Sequence, residues 1–462
     1  MAQTPLETRQ TQHFLDRAFA PLLKTQPKIQ QLACVRESLI LKEGVRYFDW
    51  TASGLASTLI EKRVQKLLPF YANAHSEFSK HAALMQCVYT ESKKRIRQSL
   101  GLSEDFIILT SGFGASHAIK RFQEILGIYI PPKTRQILGK FEGLSLPKVI
   151  IGPYEHHSNE ISWREGLCEV VRLELDSQGL FSLEKLEEAL QEAQKHPRKS
   201  KTLVSVGVAS NVTGMIVPYQ EISKLCARYQ AHLAFDAAAF SPHDNLVDAD
   251  FDALFLSAHK LLGGVGACGI LALKKYLIDT TLPPSFSGGG VVTYVSRSTQ
   301  EYTEALDARE EVGTYGLIQL YRAALALQLR NEVGTSFIRR RESMLSKVFM
   351  HALGQIPAVQ IYGNPYALRL GNVAFNASGV SCYALARLLS CQFGIETRAG
   401  CSCAGPYGHD LLGMEDSSSC VLQERGVKPG WLRVSLHYSH TLEDVDFLID
   451  RIAKAIQILR GG

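Results

Sequence analysis

Between about residues 78 and 330 the sequence alternates short apolar runs with stretches of helical periodicity, and this alternation restricts the fold more than any other feature. The apolar runs include Phe106–Leu109 (FIIL), Val149–Ile151, Leu203–Val208 (LVSVGV), His232–Phe235 and Ala253–Leu256. Strands separated by helices in this way require a mixed or parallel sheet covered by helices. Ser182–Gln194 (SLEKLEEALQEAQ) is one such helix; Ser182 offers an N-cap hydroxyl, although Lys185 stands where a capping box needs Glu or Gln. Tyr219–Tyr229 is a second.

From Gly316 to about Ser346 the helical pattern is long, and it leads into a C-terminal part with its own strands and helices, the last over Leu442–Leu459. The expected organisation is a large lobe over residues 46–315, then a hinge helix and smaller lobe over 316–462. The first 45 residues can join either lobe. No internal repeat or low-complexity tract interrupts the chain.

A chain of 462 residues with 46% hydrophobic content can bury a large core. Lys and Arg number 50 against 45 Asp and Glu, a formal +5 spread without a dominant basic block, so neither nucleic acid nor an anionic membrane is an expected partner. The basic run Lys195–Lys201 (KHPRKSK) reads as a solvated loop between helix and strand. No stretch approaches the roughly 18 apolar residues of a membrane span, and MAQTPLETRQTQHF lacks the build of a signal peptide, which points to a cytoplasmic protein. The ten cysteines are scattered, unlike a disulfide framework. Only Cys401 and Cys403, in a Gly/Ser/Pro-rich loop, call for a chemical explanation.

Three elements carry chemistry. Lys260 lies in LFLSAHKLL (Leu254–Leu262), where an apolar strand ends and a glycine cluster begins. Strand ends are where active sites of α/β folds gather, and a desolvated lysine there can form an imine with an aldehyde. Taken alone, the same residue reads as a solvent-facing lysine. Asp236 ends the run HLAFD, about two dozen residues earlier. An aspartate for a pyridine nitrogen and a lysine for an aldehyde carbon are what pyridoxal phosphate (PLP) needs; a plain N-cap is the other reading of Asp236. Gly112–Ile119 (GFGASHAI) follows a strand and opens a helix, so its small residues can close backbone N–H groups on a phosphate.

In this order, phosphate turn, histidine pair, aspartate, lysine, the residues resemble the fold-type I PLP enzymes of aminotransferase class V, and within it the group II cysteine desulfurases and selenocysteine lyases. The likeness runs from YFDWTASG (Tyr47–Gly54) to WLRVSLHY (Trp431–Tyr438). It implies a mostly parallel seven-stranded sheet in the large α/β lobe, a smaller α/β C-terminal lobe and a homodimer. Lys260 matches the Schiff-base lysine and Asp236 the partner of the ring nitrogen. Ala115 and Ser116 resemble the phosphate-binding pair, joined by Ser257 and His259. His156, in EHHSN (Glu155–Asn159), matches the histidine that stacks on the ring, and Asn211, in SNVTG (Ser210–Gly214), the residue near the ring hydroxyl. Thr314, in EVGTYG (Glu311–Gly316), is similar to a threonine that reaches the other subunit's phosphate.

Arg433 matches the arginine that pairs with the substrate α-carboxylate, a bidentate task suited to guanidinium; without the likeness it reads as a solvent-facing strand residue. The loop RAGCSCAGP (Arg398–Pro406) resembles the segment whose cysteine attacks the sulfur of substrate cysteine. That alignment selects Cys403, beside Arg398, to hold sulfur as a persulfide, and leaves Cys401 as an extra. The implied activity is sulfur transfer from an amino acid to Cys403 with release of alanine, and onward to a possible acceptor protein. Other class V chemistry (transamination, epimerisation or C–S lysis) without a catalytic cysteine, and an inactive scaffold, stand as alternatives. A metal held by the two cysteines with His409 and Cys420 lacks any familiar ligand spacing, so no metal is expected. Departures from the family pattern are Ala239 where glutamine is usual, Ser439-His440 where Asn-Thr is usual, and a polar insertion between His409 and Trp431.

Overall fold

The computed structural model describes residues 5–461 apart from 75, 77, 113, 140–144, 196–201 and 416–427. Cys420, most of the polar insertion and all of the basic run beyond Lys195 therefore lie outside the described residues.

The apolar runs become strands of one seven-stranded sheet: Phe106–Ser111 (β1), Lys148–Ile151 (β2), Glu169–Arg172 (β3), Thr202–Gly207 (β4), His232–Asp236 (β5), Ala253–Ser257 (β6) and Gly269–Lys274 (β7). Their order is β1-β7-β6-β5-β4-β2-β3. Strands β2 to β6 run parallel, and β7 alone is antiparallel to its neighbours β6 and β1. This is the mostly parallel seven-stranded sheet that the family resemblance implied. The central strands are apolar on both faces because both are covered: β6 is buried along its whole length.

The helices that matter for the site are Lys80–Ser99 (α1), Gly114–Ile125 (α2), Leu183–Gln194 (α3), Tyr219–Arg228 (α4), Leu317–Val333 (α5), Thr335–Gly354 (α6), Cys382–Phe393 (α7), Gly405–Leu412 (α8) and Leu442–Gly461 (α9). Ser182 caps α3 as expected, its hydroxyl accepting from the Lys185 N–H at 3.1 Å. The long helix expected from Gly316 is instead two helices. Gly334, at φ +96°, breaks them, a conformation that L side chains rarely adopt and glycine takes freely.

A second sheet forms from Val359–Ile361 (β8), Asn372–Ala377 (β9), Arg398–Gly400 (β10) and Trp431–Ser435 (β11), antiparallel throughout in the order β8-β9-β11-β10. Its core contains Phe349 from α6, Leu385 and Leu389 from α7, and Leu448 and Ile452 from α9. Arg46–Tyr47 pairs in parallel with Ile395–Glu396, and Phe48 is buried in this same core. The N-terminal residues Phe19, Leu23, Leu32 and Val35 pack instead into the core of the large sheet. The backbone around residues 47–49 thus runs between the two sheets, where their ends face each other.

Candidate active site

Gly207, Asp236 and Ser257 end neighbouring strands β4, β5 and β6, and the register sets Gly207 opposite Asp236. These are carboxyl ends of parallel strands, the edge at which α/β sheets bind ligands. They open on a cavity of about 400 Å³ whose other wall comes from the segment 47–53, the loop 402–403 and Arg433 of the small sheet.

Lys260 reaches this cavity from a single tight turn, Ala258–Lys260, that follows β6. The glycines around it are required by contact distance. A Cβ on Gly264 would lie 1.9 Å from the Ala258 carbonyl oxygen, and one on Gly54 would lie 2.1 Å from that of Leu261. Gly54 also donates its N–H to the His259 carbonyl at 2.8 Å, so two segments clamp the lysine turn. Burial pulls the Lys260 amine down to about 8; the carboxylate of Asp236 pushes back up and Arg433 pushes further down. Asp236 itself is buried, which raises its carboxyl, while the Ala238 N–H at 2.9 Å and the Lys260 charge oppose the rise. The backbone bond that the N-cap reading of Asp236 asks for is thus present, and the same carboxylate faces the cavity.

At the other end of the cavity the N-terminus of α2 abuts β6. Gly114 sits at φ +66°, and a Cβ there would lie 2.8 Å from Ser257 Oγ and 3.0 Å from His259 Cε1. The Ala115 N–H donates to Ser257 Oγ at 2.9 Å, and Ser116 shares a hydrogen bond with Ser158. Ala115, Ser116, Ser257 and His259 are thus gathered at the positive end of a helix, a setting that favours an anion.

His156 lines the cavity between these ends. Its Nδ1 accepts the Ser158 N–H at 3.1 Å, and burial, with the Lys260 charge adding to it, lowers the imidazole to about 4. The ring is neutral and directionally fixed. Asn211 donates from its side chain to the Ser402 carbonyl at 2.6 Å, while its Oδ1 is buried in the cavity wall with no partner. Ala239 also lines the wall and offers no polar side chain.

Arg433, on β11, is 2% exposed, so it does not face solvent as its place in a strand would allow. One terminal nitrogen meets Asp49 Oδ1 at 2.7 Å, another donates to the Asn211 carbonyl at 2.8 Å, and Nε has no partner. Arg398, on β10, is half exposed and lies 3.8 Å from the other Asp49 oxygen. Asp49 therefore stands between the two arginines.

The cysteine loop turns sharply. The Ala404 N–H donates to the Cys401 carbonyl at 3.1 Å, closing a four-residue turn whose central residues Ser402 and Cys403 have φ of +52° and +57°. Positive φ at both central positions marks a mirror-image turn that glycine and asparagine normally fill. Two bonds from one neighbour pin it: His157 donates its N–H to the Cys403 carbonyl at 2.8 Å, and its Nε2 accepts the Gly405 N–H at 2.8 Å. The loop is thus tied down at its backbone. Ser402 and Cys403 line the cavity, and Cys401 does not.

Of the residues anticipated from sequence, Thr314 is the one the structure leaves out; it is exposed and away from the cavity. Among the described residues no group of three His, Cys, Asp or Glu side chains could hold a metal, and Cys420 lies outside them. Asp49, His157 and Glu155 were not anticipated. Glu155 sits behind the floor, where it accepts the Gly207 N–H; burial lifts its carboxyl to about 8 against that bond. Both Asp49 and the pair Glu155-His157 lie inside motifs already noticed, YFDWTASG and EHHSN, but their tasks depend on partners far away in the chain.

An amine, a buried carboxylate, a neutral fixed imidazole, an anion-receiving helix end and the orphaned Asn211 oxygen fit pyridoxal phosphate, with Lys260 for its aldehyde and Asp236 for its ring nitrogen.

Comparison with known proteins agrees. The aminotransferase class-V family matches residues 46–448. A cysteine desulfurase of Haloferax volcanii is 27% identical over 316 residues, covering 67% of this chain and 68% of its own. A probable cysteine desulfurase of Pyrococcus abyssi is 26% identical over 440 residues, 93% of this chain and 98% of its own. The apo structure of a cysteine desulfurase from Thermococcus onnurineus superposes with a TM-score of 0.75 at 24% identity, over 93% of this chain and 98% of that one. With the family match spanning most of the sequence and the lysine, aspartate and helix end arranged around one cavity, the chain belongs to aminotransferase class V, a family of pyridoxal-phosphate enzymes.

Proposed function

We propose that this protein is a cysteine desulfurase of the selenocysteine-lyase-like kind, which takes sulfur from cysteine onto Cys403 and releases alanine. The observation that carries the reading is that Cys403 and Lys260 line the same cavity. The curated relatives named as cysteine desulfurases support it.

Each residue has a definable task. Ala115, Ser116, Ser257 and His259 would hold the cofactor phosphate, Asp236 its ring nitrogen, and Asn211 its hydroxyl. Bound pyridoxal phosphate supplies an electron sink that weakens the bonds around the substrate α-carbon. An amine near pKa 8 is partly neutral at physiological pH, so Lys260 can both accept and return a proton within the cavity. His156, held neutral, presents a flat face without adding charge beside the amine. Arg433 meets the substrate α-carboxylate, with Arg398 at the entrance. The turn 401–404 holds the Cys403 side chain at the cavity wall, where its thiolate can attack the substrate sulfur as the carbon–sulfur bond breaks.

The working unit in this reading is a homodimer. Support for it is that Thr314 is exposed outside its own cavity, while Glu311 of the same turn is buried and accepts the Thr110 N–H and hydroxyl of β1. An acceptor protein would then take sulfur from the loop. The nine cysteines among the described residues are all unpaired, which supports a reducing compartment, the cytoplasm. Among the described residues no helix is long and apolar enough to cross a membrane.

The test is to incubate PLP-loaded protein with cysteine and a thiol reductant and to measure alanine and sulfide. Equal amounts of both, abolished by Cys403→Ser, support the reading. Undiminished turnover of an amino acid by Cys403→Ser would favour class V chemistry without a catalytic cysteine.

A further inference from the structure

The two loop cysteines lie in one turn and are both exposed, but only one of them belongs to the cavity lining. Cys403, third residue of the turn, lines the cavity; Cys401, its first residue, lies outside that lining, beside Tyr383 of α7. The closing bond from the Ala404 N–H to the Cys401 carbonyl folds the segment back on itself, and two residues of chain can hold the Cys401 and Cys403 α-carbons no more than about 7 Å apart. At that separation side-chain rotation alone can bring sulfur to sulfur. The turn is also kept in a strained conformation at Ser402 and Cys403, which persists only where the surroundings enforce it. Those surroundings are identified: His157 on the Cys403 carbonyl and Gly405 N–H, and Asn211 on the Ser402 carbonyl.

We propose that Cys401 is a second sulfur station, which takes the sulfane sulfur from Cys403 and presents it at the outer surface. The inference rests on the desulfurase reading of Cys403. The Cys401 thiolate attacks the terminal sulfur of the Cys403 persulfide; a sulfur–sulfur bond forms at Cys401, the bond from Cys403 Sγ to that sulfur breaks, and Cys403 leaves as a thiolate. Nothing is oxidised or reduced overall, and no further reagent is needed. Cys403 is then free inside the cavity for a second substrate, while the stored sulfur sits where an acceptor thiol can reach it without entering the site. Attack on the inner sulfur instead would give a Cys401–Cys403 disulfide with loss of hydrosulfide, which ends turnover until a reductant restores both thiols.

The experiment gives PLP-loaded protein about two equivalents of cysteine per chain, so that little free thiol remains to strip persulfides, quenches with an alkylating agent, counts alanine, and maps sulfane sulfur by peptide mass. The wild type is expected to store about two sulfane sulfurs per chain on this loop, with a matching alanine burst, Cys401→Ser about one, on Cys403, and Cys403→Ser none at either position. Sulfur found only on Cys403 in the wild type, with an equal burst in Cys401→Ser, would overturn the relay while leaving the desulfurase reading standing. Sulfur on Cys401 in Cys403→Ser would overturn it by making Cys401 the primary acceptor, and a Cys401–Cys403 disulfide with free sulfide would overturn it by showing attack on the wrong atom. Absence of both alanine and bound sulfur in the wild type would remove the desulfurase reading and the relay together. Pyridoxyl labelling of Lys260 in each variant separates loss of fold from loss of a sulfur station.

Discussion

Asp49 Oδ1 lies 2.7 Å from a terminal nitrogen of Arg433, and both side chains are buried although 384 positions separate them in the chain. The pair joins the segment that leaves the N-terminal region to the central part of the small sheet, and it holds Arg433 at the cavity wall. Removing one member of a buried pair leaves the other charge without compensation, at a cost of about 3–5 kcal/mol. Asp49→Ala is therefore expected to lose stability on that scale in denaturant titration. Breaking the exposed pair of Lys195 and Glu192 by Glu192→Ala should leave the denaturation midpoint unmoved. An Asp49→Ala protein as stable as the wild type would mean that the pair is not what anchors Arg433.

The second expectation concerns proton binding at Lys260. Its amine is lowered from an ordinary value of 10.5 to about 8, so between those values the unfolded chain binds a proton that the folded chain does not. Burying the charged amine thus costs stability below about pH 8, and this cost is withdrawn as the pH rises from there toward 10.5. The same shift makes Lys260 reactive early. In cofactor-free protein, acylation mapped to Lys260 should rise with a midpoint near pH 8, and in Asp236→Asn the midpoint should fall further, because the carboxylate is the largest influence holding the proton on. A midpoint that stays with the surface lysines, or that rises in Asp236→Asn, would contradict the electrostatics of the site.

His157 is expected to act on the loop alone. Its backbone N–H holds the Cys403 carbonyl and its side-chain Nε2 holds the Gly405 N–H, the bond that an alanine would remove, and it is absent from the cavity lining. His157→Ala should lower kcat for alanine formation by roughly 10- to 100-fold, the cost of misplacing a reacting group by about 1 Å, with KM nearly unchanged and Lys260 labelling intact. Loss of Lys260 labelling in the same variant would show a general structural role instead.

Much of this site was legible in the sequence because its chemistry sits at the ends of apolar runs. Asp236 closes a strand and Lys260 lies in the turn directly after the next one, and strand order in a parallel sheet brings such ends together. The α2 turn was legible for the same reason. The Asp49–Arg433 pair was not, since nothing local to YFDWTASG marks a carboxylate whose partner lies 384 positions away in the chain. The turn at Cys401–Ala404 was hidden as well. Ser-Cys at its centre lacks the glycine or asparagine that signals positive φ, and the strain is borne by His157 and Asn211 from elsewhere. The break at Gly334 escaped because helical periodicity continues on both sides of it and the interruption lasts a single residue. Thr314 illustrates the opposite limit: its motif was readable, but one chain does not bring it to the cavity.

The central claim, that this cavity is a pyridoxal-phosphate site anchored on Lys260, is tested most directly by borohydride reduction of the PLP-loaded protein followed by peptide mapping. The structure predicts a pyridoxyl group on Lys260 and none in Lys260→Ala, with the visible absorbance of the loaded protein lost in that variant. A pyridoxyl group on any other lysine, or absorbance that survives Lys260→Ala, would contradict the account.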